Sequence, residues 1–392
     1  MTNTNDLIWP KKMNKLPKKI FVDEDLFEEE LKKIFYGREW HPVCHESEVP
    51  EVGDFKTFQV GRIPLYAARG DDGQVRVFYN SCSHRGNQMV TAPRGNKTEF
   101  ECPYHRWLFS KEGKLIGCPN SDEYSPGFKK EDYPLSQPRT DSYLGLIFCT
   151  FSAESTSLLD WLGEDTLAPL STILGKDGRL KLLGYQKVRY NVNWKAYCDN
   201  DGFHAPLLHR AFKMLNWQGG KGRQYAPTER HLVFESKLSE APDTSFLNDY
   251  SILEFKGVDP SEGSCIVQLY PMFVSTKHLD MLNLRFAFAS GPDTTEVHYA
   301  YFTHLDDDPE LANHRLRQSS NLLGPTGLIS MEDASIFHRI HIGAQTPGNV
   351  EFQKGVKDFY KLNDQFQQND ESGNLPRWEY YRKVMGFERG EE

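Results

Sequence analysis

Apolar and polar positions change rhythm along the chain, and each change marks an element. Residues 24–36, with Leu26, Phe27, Leu31, Ile34 and Phe35 at helical spacing behind Asp23 as N-cap, predict an amphipathic helix. From Phe55 the rhythm shortens. Strand-like runs over 55–60, 63–68 and 75–79 are set off by Gly53-Asp54, Gly61-Arg62 and Asp71-Asp72-Gly73, which is turn chemistry. An N-terminal segment and helix over 1–39 therefore leads into an all-β unit over 40–155. Past residue 156 strand-like runs at 181–192, 231–236, 266–270, 282–289 and 297–304 are interrupted by helical segments at 193–208 and 309–342. Gly324-Pro325 breaks the second of these helices. The expected class is α+β, with the β unit first and an α+β unit over 156–392. No repeat, low-complexity tract or Pro/Gly/Ser-rich linker divides the chain.

Composition narrows the function. A chain of 392 residues is long enough for roughly two to three domains. Lys+Arg 46 against Asp+Glu 55 gives a net charge of -9, which disfavours nucleic acid as a ligand. The aromatic content of 13% still allows a sizeable core beside only 38% hydrophobic residues. The longest nearly unbroken apolar run, 144–151, is far short of the roughly 18 to 20 residues a membrane-spanning helix needs. The first residues are polar with no secretory apolar run behind them, so no membrane span and a cytoplasmic location are expected. Seven cysteines form an odd, sparse set, which points away from a disulfide framework and toward a metal or redox role for any functional cysteine.

Two cysteines have histidine neighbours. Cys82-Ser83-His84 and Cys102-Pro103-Tyr104-His105 are a Cys-x-His and a Cys-x2-His pair with 17 residues between them. Each pair fits the tip of a hairpin loop, where one or two spacers let both side chains face one centre. The set suits a Rieske [2Fe-2S] cluster, in which two cysteines hold one iron and two histidines the other. A tetrahedral zinc site uses the same ligands. Cys44, Cys118, Cys149, Cys198 and Cys265 have no partner at ligand spacing and read as small buried hydrophobes.

A second constellation lies in Asp199-Asn200-Asp201-Gly202-Phe203-His204-Ala205-Pro206-Leu207-Leu208-His209. On a helix Asp201 and His204 would lie about 60° apart, but His204 and His209 about 140° apart. A helix break at Pro206 is expected to turn His209 inward. Two histidines and one carboxylate make the facial arrangement that suits non-haem Fe(II). The acidic pair Glu332-Asp333, following an apolar helical run, is the best candidate source of that carboxylate.

Residues 80–86 and 100–107, which contain the two cysteine motifs, closely resemble the Rieske loops of ring-hydroxylating oxygenase α subunits. The likeness extends from the first helix and Trp40 to Glu332-Asp333. It implies an N-terminal Rieske domain followed by a catalytic domain with an antiparallel sheet and flanking helices. It also implies that Cys82, His84, Cys102 and His105 hold the cluster, and that His204, His209 and Asp333, rather than Glu332, hold Fe(II). Asp201, with Asp199 as rival, matches the acid that in such enzymes bridges a Rieske histidine to an iron histidine. Two departures stand out: Arg106 where the family usually has Gly, and Asp199-Asn200 running directly into Asp201.

The resemblance implies a terminal oxygenase that uses O2 and external electrons. Its expected substrate is an aromatic acid, as in the anthranilate and salicylate branch. A demethylase acting on methoxy, N-methyl or aliphatic C–H groups is the runner-up. A Rieske electron carrier or a zinc-stabilised interaction protein is the alternative of another class. No G-x-G-x-x-G lies between a predicted strand and helix, so electrons are expected from a separate reductase or ferredoxin. A homotrimeric core and a small β subunit are further implications. Arg210, Lys213, Arg223, Arg230 and Arg285 are the cations that could meet an anionic substrate, and the sequence does not distinguish among them.

Overall fold

The computed structural model describes residues 7–200, 205–209, 222–237 and 248–390. The first helix runs over Glu24–Glu30, capped as its sequence predicts by Asp23, whose Oδ1 accepts from Leu26 N at 2.8 Å. It continues to Arg38 in wider, π-type turns.

The β unit that follows contains three antiparallel sheets. In one, Val75–Tyr79, Ile63–Arg69, Asp54–Val60 and Arg94–Asn96 lie side by side. The strand Ile63–Arg69 buries both faces, Tyr66 and Ala68 toward one core and Leu65 and Ala67 toward another. The first core includes Phe78, Phe100, Trp107 and Phe109 and supports the two cysteine loops. A second sheet pairs Phe100–Glu101, Leu108–Phe109 and Leu115–Gly117. The third joins His41–His45, Leu146–Thr150 and Arg139–Tyr143, so the chain leaves the β unit on the strand beside the one by which it came in.

An eight-stranded antiparallel sheet forms the remainder, in the order Leu180–Tyr190, Thr294–His304, Met281–Gly291, Phe273–His278, Ser264–Leu269, Leu232–Ser236, Arg223–Tyr225, Phe366–Gln367. Helices Pro309–Leu322 and Ser330–Gly343 accompany it, separated at Gly324-Pro325 as the sequence predicts. The segment expected as one helix over 193–208 is instead two short pieces, Trp194–Cys198 and Ala205–Leu208. Among the described residues the second piece begins at Ala205, with Pro206 within it.

Two buried charge networks join these parts. Glu30 is fully buried and accepts from Trp194 Nε1 at 2.7 Å, Lys195 Nζ at 2.5 Å and Tyr381 OH at 2.5 Å. Lys56 of the β unit pairs with Glu48 at 2.5 Å, and Glu48 also accepts from Tyr185 of the large sheet. The N-terminal residues in turn belong to the far end of the chain. Lys15–Pro17 pairs with Asn349–Glu351, and Trp9 stacks on Phe387, which follows the last helix, Leu375–Met385. No helix among the described residues is long and apolar enough to cross a membrane.

Candidate metal centres and cavity

The two cysteine loops are built alike. Cys82 N donates to Asn87 O at 2.9 Å and Gly86 N to Cys82 O at 2.9 Å; Cys102 N donates to Trp107 O at 2.8 Å and Arg106 N to Cys102 O at 3.0 Å. Gly86 and Arg106 thus hold equivalent positions, and both have left-handed backbone, φ 72° and 60°. Glycine adopts that conformation freely, whereas arginine pays for its Cβ. The ion pair of Arg106 with Glu101 is solvent-exposed and offsets little. Arg106→Gly is therefore expected to stabilise the loop by about 1 kcal/mol. The check is denaturant unfolding followed by the cluster's visible absorption; a variant less stable than the parent would show that the arginine's contacts outweigh its strain.

Both cysteines are buried, with the histidines toward solvent. The His84 and His105 rings lie 4.7 Å apart, and His84 stacks on Trp107 at 4.6 Å. Burial and the neighbouring Cys102 push the Cys82 thiol above its ordinary value. Burial, with the charges of His105 and Arg85, holds His84 below its ordinary value, which leaves the neutral imidazole that ligation requires. Cysteines grouped inside and histidines outside fit a cluster with one pair per iron better than a tetrahedral zinc ion.

The second centre is assembled from distant parts of the chain. His209 follows the short helix Ala205–Leu208 and is 2% exposed; Asp333 stands in the first turn of the helix Ser330–Gly343 and is 7% exposed. His209 Nδ1 lies 3.1 Å from Glu332 Oε2, and Nε2 lies 3.2 Å from Asp333 Oδ1. Of the two contacts, the one between Nδ1 and Glu332 has hydrogen-bond geometry, with the carboxylate as acceptor. Ligands at 2.0–2.2 Å from one metal and at a right angle to each other are about 3 Å apart, which matches the spacing of Nε2 and the Asp333 oxygen. The two carboxylates thus face opposite nitrogens of one ring, Asp333 toward Nε2 and Glu332 toward Nδ1. His204 and Asp201 lie outside the described residues. Asp199 is described: its Oδ1 accepts from Trp378 Nε1 at 2.7 Å and Asn374 Nδ2 at 3.2 Å, which ties it to the C-terminal helix.

His209 and Asp333 open onto a cavity of about 120 Å³, with Tyr190, Tyr197, Phe234 and Tyr299 among its walls. Burial keeps the Tyr197 and Tyr299 phenols protonated well into alkaline pH. The candidate cations now separate. Arg223 pairs with Glu235 at 2.5 Å, while Arg230 stands 3.6 Å from Glu39 and over the Tyr380 ring. Arg210 and Lys213 lie outside the described residues, and Arg285 lines the cavity.

Comparison with known proteins gives matches over both parts. The model of the Rieske [2Fe-2S] domain matches residues 39–135, and that of the ring hydroxylating alpha subunit catalytic domain matches residues 178–370. The anthranilate 1,2-dioxygenase large subunit of Burkholderia cepacia is 30% identical over 95% of this chain and 94% of its own length. The salicylate 5-hydroxylase large oxygenase component of a Ralstonia species is 26% identical over 96% of each. The crystal structure of naphthalene 1,2-dioxygenase from a Rhodococcus species, bound to indole, superposes with a TM-score of 0.82 at 23% identity, over 95% of this chain and 94% of that one.

Proposed function

The chain belongs to the ring-hydroxylating oxygenase α subunits, with a Rieske domain ahead of the catalytic domain, and from that premise we propose that it hydroxylates an aromatic carboxylic acid. The enzyme is an oxygenase acting on an aromatic substrate with O2 and an electron donor. An electron carrier would need only the first domain. The observation that carries the substrate reading is the His209–Asp333 pair opening onto a cavity walled by aromatic side chains, with a polar minority to orient what enters. Two relatives named for anthranilate and salicylate, both aromatic carboxylates, support it.

When bound, the cluster supplies electrons singly and the mononuclear iron supplies the place where oxygen is activated. In this reading Cys82 and Cys102 hold the inner iron of the cluster, His84 and His105 the outer one, and His204, His209 and Asp333 hold the mononuclear iron. Residues 40–155 form the cluster domain and 156–392 the catalytic domain. Glu332 holds the His209 proton on Nδ1, which keeps Nε2 available as a ligand. The apolar walls exclude water, and the protonated phenols donate hydrogen bonds without introducing negative charge. Asp201 carries the bridge between cluster and iron site, since the Asp199 carboxylate is engaged by Trp378 and Asn374. In the proposed assembly that bridge joins neighbouring subunits of a trimer. A reductase or ferredoxin docks at the solvent-facing edge around His84 and Tyr104, and a small β subunit completes the complex.

Anaerobically purified protein is expected to hold about three irons and two acid-labile sulfides per chain. Zinc without sulfide would overturn the ligand assignment. Reduced enzyme supplied with labelled O2 is expected to put label into hydroxylated anthranilate- or salicylate-like acids, identified by product mass. Dealkylation of a methoxy or N-methyl compound with no ring product would favour the demethylase reading instead.

A further inference from the structure

Among the described residues that wall the cavity, Arg285 is the permanent cation. It projects from the strand Met281–Gly291, beside Tyr299 on one neighbouring strand and Val274 on the other. Its guanidinium carbon lies 5.6 Å from the centroid of the Tyr299 ring. Nη2 reaches Thr276 Oγ1 only at 3.4 Å, and Nε is buried with no hydrogen-bond partner among the described residues. No ion pair with a described carboxylate engages it; Asp333, whose field reaches it, is held against His209.

The other buried arginines are satisfied quite differently. Arg315 donates to the Asp307 carboxylate at 2.7 Å and to the Asp280 carbonyl. Arg377 donates to Cys198 O at 3.2 Å, Gln268 Oε1 at 2.9 Å and Pro271 O at 2.5 Å. A guanidinium offers five N–H donors in a planar fork, and leaving most of them short of acceptors in a low-dielectric pocket is costly. Arg285 keeps some accessible surface, and it lines the cavity. A group entering the cavity can supply acceptors to its terminal nitrogens.

We propose that Arg285 is the carboxylate subsite of this cavity, pairing bidentately with the acid group of the substrate and so setting which edge of the aromatic ring faces His209 and Asp333. The inference rests on the aromatic-acid reading above and adds the residue that enforces it. A planar anion with two oxygens matches the fork, whereas a neutral arene leaves it unpaired and an ammonium is repelled. Tyr299 beneath the guanidinium fixes its plane, and the Tyr190 and Tyr299 hydroxyls, bonded to each other at 3.1 Å, brace that wall.

Anthranilate and its carboxamide make the discriminating pair, because they share ring and amine and differ in charge. Binding to the anaerobic holoenzyme is read by calorimetry and turnover by product mass, with iron and sulfide measured on every variant. In Arg285→Gln the acid-over-amide preference, both in Kd and in kcat/KM, is expected to fall about a hundredfold. Arg285→Lys, which keeps the charge but loses the fork, should fall about tenfold. An acid preference within threefold of the parent in either iron-loaded variant overturns the subsite, and if Arg285→Gln does not fold, the Lys variant decides alone. A parent enzyme that binds the acid through Arg285 yet oxidises no aromatic acid would leave the subsite standing and remove the proposed function.

Discussion

Asp333→Ala is expected to remove turnover altogether while leaving the cluster's visible spectrum intact, and His209→Ala is expected to do the same. The two residues bring one oxygen and one nitrogen to 3.2 Å at the cavity edge, and a metal held by three protein ligands loses its geometry when one is deleted. The cluster lies in another sheet system with its own core, so nothing in it depends on either side chain. Glu332→Ala should behave differently. It deletes the acceptor that fixes the His209 tautomer, at a cost of about ten- to hundredfold in iron affinity, and excess Fe(II) should restore part of the activity. Substituting Cys82, His84, Cys102 or His105 should give the converse result, bleaching the visible absorption. Cluster loss in Asp333→Ala, or full turnover without that carboxylate, would contradict two separately held centres.

The largest effect on stability is expected from Glu30→Gln. The carboxylate takes three donors, from Trp194, Lys195 and Tyr381, inside a fully buried site. Neutralising it strands the Lys195 ammonium, which burial already holds below its ordinary pKa. Breaking a buried pair from one side costs about 3 to 5 kcal/mol. Replacing both partners, as in Glu30→Gln with Lys195→Met, should recover much of that loss because no unpaired charge remains. Denaturation midpoints of the single and double variants provide the measurement. A single variant within about 1 kcal/mol of the parent would mean that water or a shifted proton compensates the charge.

How much the sequence discloses depends on how local the signal is. The two Cys/His pairs are legible because each spans one loop, and the strands at Asp54–Val60, Ile63–Arg69 and Val75–Tyr79 because Gly and Asp punctuate them. The strand Phe273–His278 escapes notice. The turn joining it to the next strand is Leu279-Asp280, with Leu279 at φ 55° and neither Gly, Asn nor Pro to announce it. That turn is held from outside: Asp280 N donates to Gln318 Oε1 at 2.8 Å, and the Asp280 carboxylate accepts from Lys256 N and Gly257 N at 2.7 and 2.9 Å. Tertiary contacts replace local turn chemistry, and no local pattern reports them. Arg285 is hidden for a similar reason. It cannot be told from Arg223 until strand register shows that one faces a cavity and the other Glu235. Glu332 and Asp333 are adjacent acids in one helical turn, alike in local pattern until the fold sets them against opposite nitrogens of a histidine over a hundred residues earlier.

The chain's path also sets an order of events during its synthesis. Tyr381, one of the donors to Glu30, lies 351 residues downstream of it. At about 5 to 20 residues per second the N-terminal helix waits roughly 20 to 70 seconds before its last partner leaves the ribosome. The β unit waits for nothing comparable, since its closing pair joins His41–His45 to Leu146–Thr150. The cysteine loops are thus formed and able to take up their iron and sulfide while most of the oxygen-activating half is still untranslated. Helix 24–30 meanwhile presents Leu26, Phe27 and the unpaired Glu30 to solvent or to a chaperone. Nascent chains stalled after the β unit should accordingly already carry the cluster's colour.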